Sequence, residues 1–148
     1  MNVECDSLRI ALIAESFERL TGGSLVDPQP DMAAALWIAP RAIVAHGTQA
    51  DPIFFYGNRL ALTLFETTPA EFIRMPSRLS AEPLLREERA RLLDRVTRDG
   101  FIDDYAGIRI SAKGRRFRIE QAIVWNLVDA EGETHGQAAA FDHWEPLD

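Results

Sequence analysis

Three strand-like runs at the end of this 148-residue chain constrain its fold more than any other feature. They cover residues 101–111, 116–128 and 134–144, and only short turn sequences separate them. Strands joined by such short turns pair in antiparallel fashion, because a parallel pair needs a connection of a dozen residues or more. The sequence therefore predicts an antiparallel meander. Simple alternation gives each of the first two runs one apolar face. In the first run this face carries Ile102, Ala106, Ile108 and Ile110, and in the second it carries Phe117, Ile119, Ile123, Trp125 and Leu127.

The region before the meander combines short strands with short helices. Residues 42–45 and 53–56 are apolar runs that end at glycine-containing turns, which is typical of strands. Helices are predicted at 60–66, from Thr67 or Thr68 onward, and most clearly at 86–98. Two strands, several helices and a meander in this order predict an α+β fold, with the helices collected on one face of an antiparallel sheet.

The N-terminal segment is predicted to be a helical extension. Apolar residues recur at helical spacing over residues 6–20, two glycines end the run, and a proline-rich linker follows at 27–31. We therefore divide the chain into residues 1–33 and a domain at 34–148. Leu8 and Leu12 lie beside the stripe formed by Ile10, Ile13 and Phe17, so the helix has more apolar surface than one neighbour covers. This surface predicts packing on the outer sheet face or against a second copy in a homodimer.

Composition excludes several classes of protein. The net charge of −7 argues against a nucleic-acid binder, which normally carries a basic surface. Apolar runs are too short for a membrane helix, and acidic residues stand where a signal peptide would be basic. The expectation is a cytoplasmic protein with no nucleic-acid or membrane partner.

Several short motifs follow one another between residues 34 and 144. They are His46-Gly47-Thr48 with Asp51-Pro52-Ile53-Phe54, Tyr56-Gly57-Asn58 with Leu62 and Leu64-Phe65-Glu66, the stretches 76–83 and 100–105, and Val124-Trp125-Asn126. In these motifs and their order the chain resembles the MEKHLA domain, a PAS-like family found alone in bacteria and at the C-terminus of plant homeodomain–leucine-zipper proteins. The resemblance implies a five-stranded sensor fold whose helices form a pocket against the sheet.

The resemblance also implies a non-catalytic module of the bacterial type that binds a small molecule and signals through protein contacts. A flavin photosensor needs a cysteine within residues 75–83, and a haem sensor often uses a histidine on the helix at 86–98; the sequence has neither. The cofactor is therefore unidentified, and a small organic ligand is the class that fits.

Six residues are candidate ligand contacts, and each has a structural alternative. Arg78 offers a fork to a carboxylate or phosphate, or pairs with Glu82. Asn58 ends the second strand beside a possible pocket, or fixes the following turn. Gln137 is a polar residue on an apolar strand face, where an unpaired amide is costly. The complete set is Tyr56, Asn58, Arg78, Tyr105, Trp125 and Gln137. For Trp125 the alternative is a core role.

No catalytic or metal site is predicted. Asp103 and Asp104 are adjacent on a strand and so point to opposite faces. His46, His143 and Asp51 share no ligand spacing. Two other functions stay open: a homodimeric interaction module whose core is filled by side chains, and a cone-shaped enzyme of the nuclear-transport-factor type.

Overall fold

The fold combines one antiparallel sheet with five helices over the described residues, which are 3–27, 30–82 and 86–147 of a computed structural model. In chain order the elements are α1 (Val3–Thr21), α2 (Met32–Ile38), β1 (Ala42–His46), β2 (Phe54–Gly57), α3 (Arg59–Leu64), α4 (Pro69–Phe72), a 3₁₀ turn (Ser77–Ser80), α5 (Arg86–Asp99), β3 (Phe101–Ile110), β4 (Arg116–Val128), β5 (Thr134–Phe141) and β6 (Trp144–Pro146). In these ranges no helix is both long and apolar enough to cross a membrane.

The strands lie in the order β2-β1-β5-β4-β3, and all pairs are antiparallel. The predicted α+β class and meander are confirmed. The last predicted strand divides after Phe141, and its short continuation β6 pairs with the first part of β4, from Phe117 to Ile119. The long strand β4 therefore has β5 beside its second half and β6 beside its first.

Helix α1 covers the outer face of the sheet. Ile13 and Phe17 pack against Trp125, and the Phe17 and Trp125 rings meet edge to face with centroids 5.0 Å apart. Ser16 Oγ accepts a hydrogen bond from the Val128 N–H at 2.9 Å. The helix thus packs on the sheet of its own chain, one of the two arrangements expected for it. The division at residue 33 stays a prediction.

The inner face carries an aromatic cluster beneath α3 and α4. The rings of Phe54 and Phe72 stack with centroids 4.2 Å apart, and Phe65 lies between Phe72 and Phe117 at 5.8 and 5.4 Å. All four are buried. These rings fill the space between the helices and one half of the sheet, so any room for a ligand lies toward the other half.

The predicted apolar face of β4 is wrong, because the strand changes face near Gln121. Phe117 and Ile119 belong to the inner cluster, whereas Ile123, Trp125 and Leu127 belong to the outer one. Between the pairs Gly107↔Ile119 and Tyr105↔Ala122, two residues of β3 face three of β4, and Gln121 has a φ of 54°. This is a β-bulge, and an extra residue reverses the alternation beyond it.

A second bulge overturns the predicted apolar face of β3. Ile102 lies opposite Val124 and Tyr105 opposite Ala122, so three residues of β3 face two of β4. After this shift the inner face receives Tyr105, Gly107 and Arg109. Ala106, Ile108 and Ile110 turn to the other face, away from the aromatic cluster.

Candidate functional site

A row of polar side chains crosses the inner face of the sheet at one end. His46 on β1 pairs with Gln137 on β5, and Gln137 pairs with Asn126 on β4. Two positions away on β1 and β5, Val44 and Ala139 belong to the inner cluster, so alternation points the row to the same face. We call His46, Gln137 and Asn126 the polar row.

Hydrogen bonds connect the row from β1 to helix α5. Gln137 Nε2 donates to Asn126 Oδ1 at 3.2 Å, and the Gln137 side chain also bonds to His46. Asn126 Nδ2 donates to the Val96 carbonyl in α5 at 3.2 Å. His46 Nδ1 lies 3.0 Å from the Gly47 carbonyl, which can only accept, so Nδ1 carries a hydrogen. The side chains of the row are held in place before any ligand arrives.

Strand β3 adds an aromatic ring and a cation to the same face. Tyr105 and Arg109 lie opposite the buried Ala122 and Phe117. The guanidinium carbon of Arg109 is 5.5 Å from the Tyr105 ring centroid, within the range of a cation–π contact. Gly107 lies between them on this face, and a Cβ there would come within 2.6 Å of the Tyr105 hydroxyl. Glycine therefore leaves the phenol room beside the strand.

Burial and charge keep His46 neutral at neutral pH. Desolvation of the ring is the main cause that lowers its pKa, and the positive charge of Arg109 acts in the same direction. The hydrogen bonds to Gly47 and Gln137 oppose the shift without cancelling it. The cation of the site is Arg109, whereas His46 takes part as a neutral imidazole.

The polar row, Tyr105 and Arg109 are half-buried, so solvent reaches these side chains while the sheet beneath them holds them in place. Ala81, just after the 3₁₀ turn, forms an antiparallel backbone β-bridge with Arg109. Helix α5 borders the polar row at Val96. Amide, imidazole, phenol and guanidinium groups on one face of the sheet can bind and orient the polar groups of a small molecule.

Of the six predicted contacts, Tyr105 and Gln137 lie in this site, while Trp125 and Tyr56 lie on the opposite face. Trp125 is fully buried, and its indole N–H donates to the Ile13 carbonyl at 3.1 Å, which is the core role. Tyr56 packs in the outer cluster, where its buried hydroxyl has no hydrogen-bond partner among the described residues. Burial raises the pKa of Tyr56 to about 12.

Asn58 forms the joint between β2 and α3. Its Oδ1 accepts from the N–H groups of Ile43 at 3.0 Å and Ala61 at 3.1 Å. Its Nδ2 donates to the carbonyls of Leu36 at 3.0 Å and Arg41 at 2.8 Å. An amide side chain has two donor and two acceptor positions, and the backbone fills all four. This matches the structural alternative for Asn58.

Arg78 is exposed and pairs with a carboxylate, although not the expected one. Its Nε lies 3.1 Å from an oxygen of Asp51. Glu82 instead accepts from Arg116 at 2.6 Å. The guanidinium of Arg78 therefore already has an anion in the folded chain.

Sequence reasoning missed three members of the site, His46, Asn126 and Arg109. In the sequence His46 and Asn126 belong to the family motifs, and His46 is also weighed as a metal ligand, but neither is predicted to contact a ligand. Their polar character was visible, but their convergence depends on strand register and on the two bulges of β3 and β4. Local alternation does not reveal register between distant strands.

A separate group of possible metal ligands closes the turn between β4 and β5. The ligand atoms of Asp129, Glu133 and His135 all lie within 4.8 Å of one another. Asp129 Oδ1 accepts from the N–H groups of Glu131 and Glu133 at 2.9 Å each, and Oδ2 lies 2.8 Å from His135 Nε2. The His135 hydrogen bond is the main cause that lowers the pKa of Asp129. These contacts stabilise the turn between β4 and β5, and they explain why Asp129 and His135 lie close together.

A groove lies between α1 and α2, on the other side of the sheet from the polar row. Its volume is about 340 Å³, and Glu15 and Glu18 stand among its lining residues. The apolar side chains that line it include Ile10, Ala14, Leu25, Val26, Met32 and Leu36. The groove and the polar row are thus two distinct surfaces.

Solved structures with the same fold are PAS and light-oxygen-voltage domains. The PAS domain of a protein from Colwellia psychrerythraea matches with a TM-score of 0.63 and 17% identity, covering 78% of this chain and 93% of that one. The dark structure of the blue-light photoreceptor Aureochrome1 LOV matches with a TM-score of 0.55 and 17% identity, covering 85% and 88%. The PAS-like fold is confirmed, and the alternative of a cone-shaped fold is wrong.

Relatives in sequence are plant proteins that are much longer than this chain. Homeobox-leucine zipper protein HOX29 of Oryza sativa subsp. indica is 26% identical over 141 residues, which are 95% of this chain and 16% of that protein. ATHB-15 of Arabidopsis thaliana is 24% identical over 140 residues, 89% of this chain and 16% of that protein. The family model of the MEKHLA domain matches residues 8–146, so this chain belongs to the MEKHLA domain family.

Proposed function

We propose that this domain is a non-catalytic sensory module that binds a small organic molecule against the inner face of its sheet and signals through protein contacts. The PAS-like fold supports a sensory role. The observation that carries ligand binding is the polar row of His46, Gln137 and Asn126, with Tyr105 beside it. The predicted cytoplasmic location and bacterial type belong to the same proposal.

Polar side chains at core-facing positions carry an energetic cost that a ligand can offset. Residues that face a protein core are favoured when they are apolar, because a buried polar group costs free energy unless it is hydrogen-bonded. On β5 the inner positions after Gln137 are Ala139 and Phe141, and both are buried and apolar. An amide in line with them, bonded to two further polar side chains, supports a role in holding polar groups that enter from solvent.

Native mass spectrometry tests the proposal. Freshly purified wild-type protein is compared with its denatured mass and absorption spectrum, and we expect a retained small molecule. Gln137→Leu should lose that molecule, because it removes the central amide of the row. Thr134→Val is the matched control, since Thr134 is exposed on the same strand and should leave retention unchanged. A molecule that Gln137→Leu retains as well as wild type would contradict binding at this face.

A homodimeric interaction module is the second candidate. Packing of α1 on its own sheet buries Ile13 and Phe17 but leaves Leu8 69% exposed, beside a helix pair that encloses an apolar groove. We propose that this part of α1 contacts a second copy. Light scattering tests it: wild type should be a dimer and Leu8→Glu a monomer. Leu93→Glu, at an exposed leucine of α5, should remain dimeric, and a monomeric wild type would contradict the candidate.

A further inference from the structure

Arg109 is the cationic side chain of the inner face. Its pairing with Phe117 points it to this face, and its guanidinium carbon lies 5.5 Å from the Tyr105 ring centroid. It is also close enough to His46 for its charge to lower the pKa of that imidazole. These three relations place the charge on the inner face, beside Tyr105 and within electrostatic range of His46.

This guanidinium has no anionic partner among the described residues. Arg78, Arg95 and Arg116 each pair with a carboxylate within 3.2 Å, whereas Arg109 forms no ion pair. The half-buried Glu66 accepts from Ser111 at 2.8 Å and faces two other cations. Arg109 is half-buried, so it has lost part of its hydration without gaining a counter-charge. An arriving anion would supply charge-assisted hydrogen bonds at this point.

The remaining groups define what else the ligand carries. The Tyr105 ring offers an apolar surface beside the cation, and Gln137 offers an amide to a polar substituent. His46 is neutral, so the site holds a single positive charge. A carboxylate matches one guanidinium in charge and in its two-oxygen geometry, whereas a phosphate dianion needs further cations or N–H donors.

We propose that the ligand of the inner face is a small organic carboxylate, with Arg109 binding its two oxygens and Tyr105 packing against its carbon skeleton. This inference rests on the proposed function, because it names the ligand class of the same site. Arg109 thereby takes the anion-binding role for which Arg78 was one candidate in the sequence.

Calorimetric titration with matched pairs of probes tests the inference on the full chain. The probes are acetate, phenylacetate and octanoate, each beside its primary amide, which has nearly the same shape without the charge. We expect at least one carboxylate to bind wild type roughly tenfold to a hundredfold more tightly than its amide, the range of a charge-assisted hydrogen bond. This preference should disappear in Arg109→Gln.

Two further variants separate the local effect from net charge and from misfolding. Arg118→Gln makes the same change of charge at an exposed position of β4 and should keep the preference. Arg109→Lys keeps the charge but loses the fork, so it should keep a reduced preference. Thermal unfolding of each variant without probe establishes that it is folded before its affinity is compared.

The inference is overturned if no carboxylate binds wild type better than its amide, or if folded Arg109→Gln keeps the preference. The proposed function fails by a different result, which is a retained molecule that Gln137→Leu keeps as well as wild type does. A retained molecule that is neutral and is lost in Gln137→Leu would leave the proposed function standing and remove only the carboxylate. A retained carboxylic acid released by both Gln137→Leu and Arg109→Gln would support both.

Discussion

The two faces of the sheet are built differently. On the outer face, α1 covers an apolar cluster, and the polar side chains at this contact bond to backbone groups. The Trp125 N–H donates to the Ile13 carbonyl, and Ser16 Oγ accepts from the Val128 N–H. On the inner face, aromatic rings fill one half, while the other half carries the polar row and Arg109 at half-burial.

This difference assigns the two faces different roles: the outer face stabilises the fold, and the inner face is suited to binding. A fully buried apolar contact stabilises the fold in proportion to the area removed from water and leaves no group free to bind anything else. A half-buried polar group contributes less to stability, but it can exchange water for a ligand. Substitutions on the outer face should therefore affect the free energy of unfolding most, and those on the inner face should affect binding.

The largest effect is expected for Trp125→Ala. The side chain is fully buried against Ile13 and Phe17, so its removal should lower the free energy of unfolding by about 3–5 kcal/mol. Urea unfolding monitored by circular dichroism measures this. Tyr105→Ala is the inner-face counterpart and should cost less, because Tyr105 is only half-buried. An equal or larger loss for Tyr105→Ala would contradict the contrast between the faces.

Ser16→Ala should destabilise the fold by about 1–3 kcal/mol. It removes the acceptor of the Val128 N–H and leaves that group unpaired beneath α1. The same urea titration measures the loss, with Ser24→Ala, at an exposed serine, as the control. If the two variants unfold at the same urea concentration, α1 does not seal β4 through this bond.

Gln137→Leu should lower the free energy of unfolding by about 1 kcal/mol in the absence of ligand. It deprives Asn126 Oδ1 and the His46 ring of their shared partner, and water replaces only part of these bonds at half-burial. Thr134→Val, on the same strand, sets the baseline. A more stable Gln137→Leu would mean that the row is held at a cost that only a ligand offsets, which would sharpen the contrast further.

The smallest effect is a pH dependence from His46. Burial lowers its pKa in the folded protein below the unfolded value of 6.5. Between these two pKa values the unfolded chain binds a proton that the folded chain does not, so the free energy of unfolding falls as the pH drops through 6.5. The dependence should be weaker in His46→Gln than in wild type. Chemical unfolding at a series of pH values compares the two proteins.

Sequence patterns predicted the elements well but placed some side chains on the wrong face. The glycine and proline punctuation located the helices and strands to within a few residues. The bulge near Gln121 changes the face to which the later side chains of β4 point. Phe117 and Trp125, which simple alternation places on one face, therefore lie on opposite sides of the sheet. A bulge is set by how two strands fit across the sheet, which the alternation within one strand does not contain.

The candidate site was predictable only in part, because local patterns reveal polar residues but not the register between strands. Gln137 stood out because one polar residue interrupts an apolar alternation, a local signal. Arg109 did not, because it sits in a group of arginines typical of an exposed hairpin, and only the register of β3 turns it inward. Arg78 was the candidate anion contact in the sequence, but in the fold its guanidinium pairs with Asp51.

The sequence by itself determined the class of fold, the order of its elements and membership of the MEKHLA domain family, because these follow from turn residues, periodicity and short motifs that act locally. Tertiary structure alone decided which polar residues meet. His46, Gln137 and Arg109 come from three strands far apart in the chain, and only antiparallel pairing together with two bulges points them to one face. Register between distant strands is a property of the packed sheet, since it is fixed by burying one face of every strand at once.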